Sequence, residues 1–582
     1  MKKPLLTPTK IALFLLAILA ILNLAFFIKA ALPALRQQNP PAQPALLTTA
    51  KTPLPTPDAY PDSKSQVADD AGFPVFNLPT ASAPELDQKG IIVMALQDGN
   101  YSHLFVFHPQ YLPLTRLTND AWDDITPAVS PDGSRLAFSS RRGGSWDIYI
   151  LNLADKSLTQ VTQTTEYDAA PTWSPDGQWL AYESYVDDNL EILVKSLADL
   201  SQPALRLTNQ SGPDYSPAWS PQGREIAFIS ARNGKEEVWL ASLDQSDNRF
   251  TNASNDGDSR ASNPSWSPDG KYLAWAVEKS SVSTLVVWER QNTAARPLPT
   301  GSGSWPVWNP AGDGLLTEIR SANQTSLQGY SLAQGLLLFP PIQLPGDLLG
   351  LDWKNGPFTE QIQSFSLAAD ATAPAASLWT AAQSLNPPPP GGRSGVVPLQ
   401  DVTAPYAFLD DRVDESFNAL RQEVAQETGW DFLSSLENAY TPPTQPPTPE
   451  QEENWLETGR AIAVNPAPLY AGWMAIVKED INGQTFWQVY LKARKQDGSQ
   501  GRPLRQSPWD INARYAGNPQ AYENGGQLGQ PPSGYWVNFT AIARRYGWER
   551  LPSLTDWRSF YPSIRFNQFV LRQGVDWYTA MT

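Results

Sequence analysis

The chain has 582 residues, with 43 Lys and Arg against 59 Asp and Glu, so its formal net charge is −16. A surface this acidic repels phosphate backbones and anionic headgroups, which argues against nucleic-acid binding and general binding to membrane surfaces. Hydrophobic residues make up 41% of the chain and include 22 Trp, which excludes a wholly disordered protein.

Cysteine and histidine are the scarce residue types. The chain has no Cys, which removes disulfides, thiolate metal ligands and Cys nucleophiles. Its only two histidines, His103 and His108, are five apart in an alternating strand, so they face opposite sides and are interpreted as structural. We therefore expect no catalytic residues, no metal site and no cofactor, and we expect that the chain is not an enzyme.

The first predicted element is a transmembrane helix over residues 11–28, a run without charge. At about 1.5 Å per residue this run is roughly 27 Å long, close to the thickness of a hydrocarbon core. It is longer than the apolar part of a cleaved signal peptide and ends at Lys29, which favours an uncleaved signal anchor in residues 1–31. Lys2, Lys3 and Lys10 predict a cytoplasmic tip, with the bulk of the chain outside a cell membrane that it crosses once.

Residues 32–85 are a predicted disordered linker. The stretch from Pro33 to Pro84 holds 11 prolines mixed with Ala, Gln and Thr. Such a composition cannot bury enough apolar surface to offset the loss of chain entropy. The linker therefore lets the folded part stand away from the membrane.

A tight-turn phrase then recurs along the chain. Ser-Pro-Asp-Gly begins at Ser130, Ser174 and Ser267, Ser-Pro-Gln-Gly at Ser220 and a degraded Asn-Pro-Ala-Gly at Asn309. The residues in front of these corners, spaced by 44, 46, 47 and 42 residues, are Val129, Trp173, Trp219, Trp266 and Trp308. Periods of this length with strand patterns are typical of propeller blades, and the phrase places Pro and Gly where a hairpin corner needs them.

Each corner is followed by short apolar strands, and four strands per period make one blade. Residues 91–118 supply three strands with no corner before them, and residues 348–353 resemble an innermost strand with no complete unit after it. We expect these two segments to complete one blade together. The sequence thus predicts a mainly β fold, with a closed six-bladed β-propeller over residues 86–385.

Three features of the repeat resemble those of TolB-like, WD-repeat-like β-propellers. They are the corner phrase preceded by Trp, the Leu-Ala-Phe strand that starts at Leu136 and the Leu-Thr pair at Leu117. Similar repeats occur in the propellers of prolyl-oligopeptidase-like peptidases. The resemblance covers about residues 90–355 and implies a six-bladed, extracytoplasmic platform for interactions. The chain lacks the peptidase machinery, since it has no G-x-S-x-G elbow and no His after residue 108.

A candidate binding site lies five residues before the Val or Trp that precedes three of the corners, at Asp124, Asp168 and Asp214. Carboxylates that converge at one mouth of the channel suit a cation or a basic peptide end. The alternative is that each Asp caps its own loop through a side-chain hydrogen bond. The equivalent residues in the next two units are Ala261 and Gly303, so the ring of carboxylates is incomplete.

A second linker, residues 386–394, leads to a predicted α+β domain over residues 395–582. Apolar spacing from Val413 to Val424 predicts a helix that begins near Asp410. Apolar residues alternate with other residues on both sides of the pair Asn482 and Gly483, which predicts a β-hairpin. A further helix is predicted from about Val537 to Tyr546, before Gly547.

This domain resembles a degenerate zinc D-alanyl-D-alanine carboxypeptidase, through the phrase starting Thr458-Gly, the segment 536–548 and Asp556-Trp-Arg. That family has Ser, His, Asp and His where this chain has Asn454, Leu456, Ala463 and Arg558, so every metal ligand is missing. The resemblance therefore implies a non-catalytic relative that retains a groove for peptides or cell-wall material.

Together, these patterns predict a membrane-anchored, extracytoplasmic binding or scaffold protein. Its expected partner is a protein or an envelope polymer, with the C-terminal domain as a second contact site. The alternative is an envelope enzyme that processes glycans or peptides with carboxylates of the C-terminal domain, because a glycosidase needs only two of them. Glu437, Glu457 and Glu479 have no spacing that recommends a pair.

Overall fold

The computed structural model describes residues 90–255, 260–279, 282–292, 297–322, 324–333, 335–355, 362, 365, 371–384, 395–444, 446 and 452–582. These residues all belong to one compact unit, residues 78–582. The predicted membrane helix and both predicted linkers lie outside the described residues. Within the described ranges, no helix is long and apolar enough to cross a membrane.

The first part of the described chain is built from six four-stranded antiparallel sheets, numbered I to VI. Sheet I has the order β24-β1-β2-β3, and sheets II to VI each use four consecutive strands, from β4 to β23. The strands of sheets I to III are β1 (Ile91–Asp98), β2 (Tyr101–His108), β3 (Leu112–Arg116), β4 (Asp124–Val129), β5 (Arg135–Ser140), β6 (Asp147–Asn152), β7 (Leu158–Gln160), β8 (Asp168–Trp173), β9 (Trp179–Val186), β10 (Asn189–Ser196) and β11 (Leu205–Arg206).

The remaining strands of this part are β12 (Asp214–Trp219), β13 (Glu225–Ser230), β14 (Glu237–Ser242), β15 (Phe250–Asn252), β16 (Arg260–Trp266), β17 (Tyr272–Lys279), β18 (Val282–Glu289), β19 (Leu298–Ser302), β20 (Ser304–Trp308), β21 (Gly314–Arg320), β22 (Thr325–Ser331), β23 (Leu337–Gln343) and β24 (Leu348–Lys354). The mainly β fold predicted from the repeats is thereby confirmed.

The corner phrases form the turns between the first two strands of sheets II to VI. In each corner the glycine N–H donates to the carbonyl three residues earlier, at 2.8 to 3.0 Å. The five glycines have φ between +66° and +107°, a region that side chains disfavour. This requirement explains why Gly ends every corner, including the degraded one at Asn309.

The innermost strands of the six sheets lie side by side. Each of the following pairs is in contact: β4 with β8, β8 with β12, β12 with β16, β16 with β20, β20 with β24, and β24 with β4. Sheet I joins the two ends of this part of the chain, because β24 pairs antiparallel with β1 from Ile91 to Leu96. The Asp352 carboxylate on β24 also accepts a bond from the Val129 backbone N–H on β4, at 2.8 Å.

Corner tryptophans bond neighbouring sheets to each other. The Trp173 indole donates to the Ala128 carbonyl at 2.9 Å, which bonds sheet III to sheet II. The corresponding bonds for sheets V and VI, at 3.1 and 3.0 Å, join Trp266 to Ala218 and Trp308 to Ser265. At these three junctions, a large apolar side chain thus fills the gap between two sheets. Its single N–H group donates a hydrogen bond to a carbonyl of the adjacent sheet.

The C-terminal domain has two further four-stranded sheets, β27-β28-β36-β35 and β29-β30-β34-β31. Its strands are β25 (Val396–Pro398), β26 (Phe408–Asp410), β27 (Leu436–Asn438), β28 (Ala461–Val464), β29 (Met474–Ile481), β30 (Gln484–Lys492), β31 (Arg502–Pro503), β32 (Trp509–Asp510), β33 (Gln527–Leu528), β34 (Tyr535–Asn538), β35 (Glu549–Arg550) and β36 (Gln568–Val570). Its α-helices are α1 (Asp414–Thr428), α2 (Ala467–Tyr470), α3 (Pro519–Glu523), α4 (Phe539–Arg545) and α5 (Trp577–Met581). Short 3-10 turns occupy Phe432–Ser434, Trp455–Thr458, Asn512–Tyr515 and Tyr561–Ile564.

The predicted elements of this domain differ from the structure mainly at their starts. The apolar face expected for α1 is buried, including Phe417, Leu420 and Val424. The helix expected from Val537 begins later, at Phe539, because Val537 belongs to β34 and pairs with Leu491 of β30. Asn538 caps this helix by accepting the Ala541 N–H at 3.0 Å.

Candidate functional site

The six innermost strands surround a cavity of about 500 Å³, which we call the central channel. One end is lined by the corner prolines Pro131, Pro175, Pro221, Pro268 and Pro310. We call this the corner end, and the end near Arg505 the covered end. Among the described residues that line the channel, Arg505 is the only one from the C-terminal domain.

The channel wall carries a repeated backbone irregularity. Each of five inner strands has a residue with φ between +50° and +63° directly before a proline, and all ten residues line the channel. The residues with positive φ are Thr126, Ala170, Ser216, Asn263 and Trp305. The register of each strand shifts at the same point, as in a β-bulge.

The sequence signal for these bulges is a proline two residues before each corner Val or Trp, from Pro127 to Pro306. These prolines lie outside the corner phrase from which the repeat was identified. Non-glycine residues with positive φ are uncommon, and they are concentrated at active sites, ligand-binding sites and switch regions. The bulges therefore mark the channel wall as a preformed surface.

The C-terminal domain closes the covered end with one side chain. Arg505 pairs with Glu183, whose side chain is fully buried on β9. The other carboxylate oxygen of Glu183 accepts the Ser216 backbone N–H at 2.9 Å. The Arg505 guanidinium also donates to the Tyr167 hydroxyl at 3.2 Å. The mouth therefore contains a cation that the chain itself supplies.

Further contacts hold the two domains together around this mouth. Arg141 makes two bonds to the Glu427 carboxylate, at 2.8 and 2.9 Å. The Gly534 N–H donates to the Tyr185 hydroxyl at 2.6 Å. Buried side chains from both domains, Tyr215 and Tyr535 among them, belong to one hydrophobic cluster. The domain contact therefore combines apolar burial with partly buried ion pairs.

A cleft of about 670 Å³ remains beside the closed mouth. It lies between the ends of sheets IV to VI and the β29-β30 hairpin, and it is lined mainly by polar and charged groups. Its charged groups include Arg260, which pairs with Glu236 at 3.2 Å, and Glu479, which pairs with Arg550 at 2.6 Å. Arg260 and Glu236 both line the cleft, whereas Arg550, the partner of Glu479, is not among its described lining residues.

Two of the predicted binding aspartates have arginine partners in their own sheets. Asp124 is fully buried and accepts two bonds from Arg142, at 3.0 and 3.1 Å. Asp214 is fully buried and accepts two bonds from Arg232, at 3.2 and 3.0 Å. Burial raises the pKa of both carboxyl groups, and the arginines oppose that rise.

The third predicted aspartate, Asp168, has no such arginine. The residue two positions after Ser184, where sheets II and IV have Arg142 and Arg232, is Val186. Asp168 accepts a bond from the Thr164 hydroxyl at 2.9 Å. Burial, together with the nearby carboxylate of Asp147, raises the pKa of Asp168 to about 7. A binding role for the three aspartates stays a prediction.

The two histidines lie in sheet I and bond to protein groups. His103 contacts the Asp98 carboxylate at 2.7 Å and the Asp120 carbonyl at 2.8 Å. Burial works against the charged ring, but these two partners raise the pKa of His103. The His108 ring stacks on Tyr111 with a centroid separation of 3.6 Å.

The candidate carboxylates of the C-terminal domain each have a separate partner. Glu437 accepts from Asn567 at 2.6 Å, and Glu457 accepts from Asn454 at 3.1 Å. Arg558, at a ligand position of the zinc family, lies over the Trp557 ring at 5.6 Å. Across the described part of the chain, no three His, Asp or Glu residues are grouped so that they could hold a metal ion.

An aromatic pocket opens on the outer surface of the C-terminal domain. The Trp430 and Trp473 rings meet edge to face at 6.2 Å, and Trp473 is 43% exposed. The same pocket, about 450 Å³, is lined by Asn465 and Arg494. None of its described lining residues carries a carboxylate. Indole faces beside planar donors suit stacking on a ring that also accepts hydrogen bonds.

The solved structures named next each match less than half of this chain. Solved structures that match part of this chain include TolB from Acinetobacter baumannii, which is 20% identical over 46% of this chain and 67% of that chain, with a TM-score of 0.41. A nidogen/laminin complex structure is 10% identical over 45% of this chain and 98% of that chain, with a TM-score of 0.38. A prolyl endopeptidase structure is 12% identical over 45% of this chain and 51% of that chain, with a TM-score of 0.32.

The search of curated proteins finds no match to this chain. The family model of the TolB beta propeller domain matches twice, over residues 71–202 and 147–334. These matches cover the repeated corners and most of the strands of sheets I to VI. Residues 71–334 are therefore identified as a TolB-type β-propeller domain.

Proposed function

We propose that this chain is a membrane-anchored, extracytoplasmic binding or scaffold protein. Its propeller binds a protein or an envelope polymer, and the C-terminal domain provides a second contact site. The observation that carries the proposal is the asymmetry of the channel. One end is filled by the chain's own Arg505, while the corner end is lined by five prolines in rigid turns.

A closed ring of six blades is part of the proposal. It is supported by the contacts that lead from β4 through each innermost strand and back to β4. The pairing of β24 with β1 and the bond from Val129 to Asp352 support it further. A closed ring leaves no unpaired sheet edge and gives a rigid platform for binding.

The binding mode that we propose is recognition by a preformed surface. The bulged strands and the fixed prolines lose little conformational entropy when a partner binds, which favours affinity. At the C-terminal domain, the pocket of Trp430 and Trp473 is proposed as the contact for a sugar ring of an envelope polymer. The Arg494 guanidinium in that pocket favours a sugar that carries a carboxylate.

The membrane anchor rests on the sequence alone. Residues 11–28 carry no charge, and the Pro-rich linker has a reach between roughly 40 Å as a coil and about 160 Å when fully extended as polyproline II. A propeller on such a tether can contact partners at a distance from the membrane.

Protease protection and polymer binding test the proposal together. Protease added to intact cells should digest the protein, whereas a protected protein would contradict the extracytoplasmic location. The chain from residue 85 onward should cosediment with isolated peptidoglycan or retain a partner from detergent-solubilised envelopes. Trp473→Ala should weaken polymer binding, and Tyr515→Ala, which alters another exposed aromatic of the same domain, is the matched control.

The same preparation tests the enzymatic alternative. Turnover of a glycan or peptide that is lost on Glu479→Gln or Glu437→Gln would favour an enzyme over a scaffold. Binding without turnover would support the scaffold role.

A further inference from the structure

Buried carboxylates at the junction of sheets III and IV are balanced by arginines. Glu191 of β10 pairs with Arg206 at 3.0 Å. Asp214 of β12 pairs with Arg232, also at 3.0 Å. Both acidic residues are fully buried. Two negative charges at this junction thus meet two guanidinium groups of the same chain.

The junction of sheets II and III has two carboxylates in the corresponding places. Asp147 of β6 corresponds to Glu191, since each accepts a bond from a threonine hydroxyl of its own sheet, at 3.0 and 2.6 Å. Asp168 of β8 corresponds to Asp214, because both begin the innermost strand of their sheet. This junction therefore repeats the negative charges of the next one.

Both arginine positions of this junction are occupied by uncharged residues. Gln160 lies two residues before the threonine of sheet II, where sheet III has Arg206. Val186 lies where sheet IV has Arg232. Among the described residues, neither carboxylate of the junction forms an ion pair. The two negative charges therefore lack the cations that balance the neighbouring junction.

The two carboxylates lie close together, and one of their oxygens has no partner. The Thr164 N–H donates to Asp147 at 3.1 Å, and its hydroxyl donates to Asp168 at 2.9 Å. Asp168 is 1% exposed, and its Oδ1 atom has no hydrogen-bond donor among the described residues. In sheets II and IV, both oxygens of the equivalent aspartate accept bonds from an arginine. A buried carboxylate without a cation is costly, so this oxygen marks the place of a missing positive charge.

We infer that Asp147 and Asp168 bind a calcium ion at the junction of sheets II and III. Two carboxylates carry two negative charges, and a divalent ion restores the balance that two arginines give at the next junction. Carboxylate and hydroxyl oxygens are the ligands that Ca²⁺ prefers. The Thr164 hydroxyl and waters complete the six to eight oxygens that this ion takes. Thr164 is exposed, so its movement opens the way for the ion.

The chemistry of the site favours Ca²⁺ over other metal ions. Mg²⁺ gives up its waters reluctantly, and two almost fully buried carboxylates leave little room for them. The scarcity of Cys and His argues against metals that need sulfur or nitrogen ligands, and it does not concern a site of oxygen ligands. With two acidic ligands the expected affinity is low. The inference does not depend on the proposed binding function.

Calorimetric titration and thermal unfolding of the full chain in detergent test the inference. The protein is first treated with a chelator and then kept at pH 8, above the pKa of about 7 for Asp168. We expect saturable binding of Ca²⁺ with a dissociation constant of roughly 10⁻⁴ to 10⁻³ M. The midpoint of thermal unfolding should rise with the Ca²⁺ concentration, because the ion binds the folded state. Mg²⁺ at the same concentration should raise it less.

Asp168→Asn should abolish both the saturable binding and the rise in the unfolding midpoint. The matched control is Asp155→Asn, which removes the same charge from an exposed turn between β6 and β7, at the opposite end of β6 from Asp147. This control should respond to Ca²⁺ as the wild type does.

Val186→Arg tests the proposed cause. Val186 lies two residues after Ser184, the partner of Asp168 in the sheet, so its side chain is on the same face of β9 as that of Ser184. The arginine supplies the cation that sheets II and IV contain. In chelator this variant should unfold at a higher temperature than the wild type, and it should no longer respond to Ca²⁺.

Three results would overturn the inference. They are the absence of saturable binding by the wild type up to about 10 mM Ca²⁺, roughly tenfold above the expected range, equal responses of Asp168→Asn and Asp155→Asn, and equal responses of the wild type to Ca²⁺ and Mg²⁺.

Discussion

Three aspartates at equivalent positions show how one residue type takes different roles in one repeat. Asp124 and Asp214 are neutralised by Arg142 and Arg232, which follow the second strand of the same sheet. Asp168 is equally buried but is held by hydroxyl groups, and its pKa rises to about 7. The equivalent positions of the three aspartates in the repeat predicted equivalent roles. Their hydrogen-bond partners differ, so the pKa of Asp168 differs from those of the carboxylates that pair with arginine.

Asp168→Asn should change the pH dependence of stability. Because the pKa of Asp168 is about 7 in the folded protein and 3.8 in the unfolded chain, the folded state binds this proton more tightly than the unfolded state does between these two pH values. The free energy of unfolding of the wild type should therefore fall as pH rises from about 4 to 7. The variant should be more stable than the wild type at pH 8, by up to about 4 kcal/mol, with a small difference at pH 4.

Urea denaturation of both proteins at several pH values measures this difference. Asp124→Asn is the comparison, because it leaves Arg142 without its carboxylate and should destabilise the fold at neutral pH. A constant difference between Asp168→Asn and the wild type from pH 4 to 8 would contradict the assigned pKa.

At the scale of elements, the repeat serves both the turns and the contacts between sheets. Ser, Pro, Asp and Gly set the corners locally, so the sequence predicts them well. The tryptophan before each corner has a role that local patterns do not reveal, because its partner, such as Ala128 for Trp173, belongs to the previous sheet. Trp219 is an exception, because its indole donates to the Gly223 carbonyl of its own corner at 2.6 Å, while the neighbouring Gln222 donates to the Asp269 carbonyl of the next sheet.

Asp352→Ala should weaken the contact between sheets I and II. The Asp352 carboxylate accepts the Val129 N–H at 2.8 Å, whereas three other junctions have an indole bond, from Trp173, Trp266 and Trp308. Its removal leaves that N–H unpaired and should lower the free energy of unfolding by roughly 1 to 3 kcal/mol. Asp352→Asn keeps an acceptor oxygen and should therefore lower the free energy of unfolding by less than Asp352→Ala does. Midpoints of urea unfolding compare the two, and equal losses would rule out the bond as the cause.

At the scale of the whole molecule, the C-terminal domain lies on the mouth that the aspartates were expected to leave open for a ligand. Arg505 of this domain reaches Glu183 across 322 residues of sequence, while a cation or basic peptide end bound by the three aspartates stays a prediction. The C-terminal domain also contributes Tyr535 and Phe539 to the core that it shares with the propeller.

A double-mutant cycle on Arg505 and Glu183 tests this closure. Arg505→Ala leaves a fully buried carboxylate without its cation and should cost roughly 3 to 5 kcal/mol. Combining it with Glu183→Gln should recover part of that loss, because the second change removes the buried charge. Guanidinium chloride unfolding gives the energies, and faster hydrogen exchange around Tyr167 would report an opened mouth.

Arg224→Ala is the control for this cycle, since both Arg224 and its partner Asp244 are largely exposed and their pairing should not affect stability measurably. Additive effects of Arg505→Ala and Glu183→Gln would show that the two side chains do not stabilise the domain contact.

The sequence by itself determined the corners, the mainly β architecture and the TolB-type propeller domain, because a tight turn depends on the φ preferences of Pro and Gly and a strand on alternation among neighbours. The hairpin around Asn482 and Gly483 was predictable for the same reason. Only the tertiary structure decided which side chains meet: Arg505 with Glu183, Arg141 with Glu427, and Trp219 with its own corner. Such pairings depend on the path of the whole chain, which brings distant residues together. They also depend on which polar groups become buried and therefore require a hydrogen-bond partner. Neither feature can be read from a short run of residues.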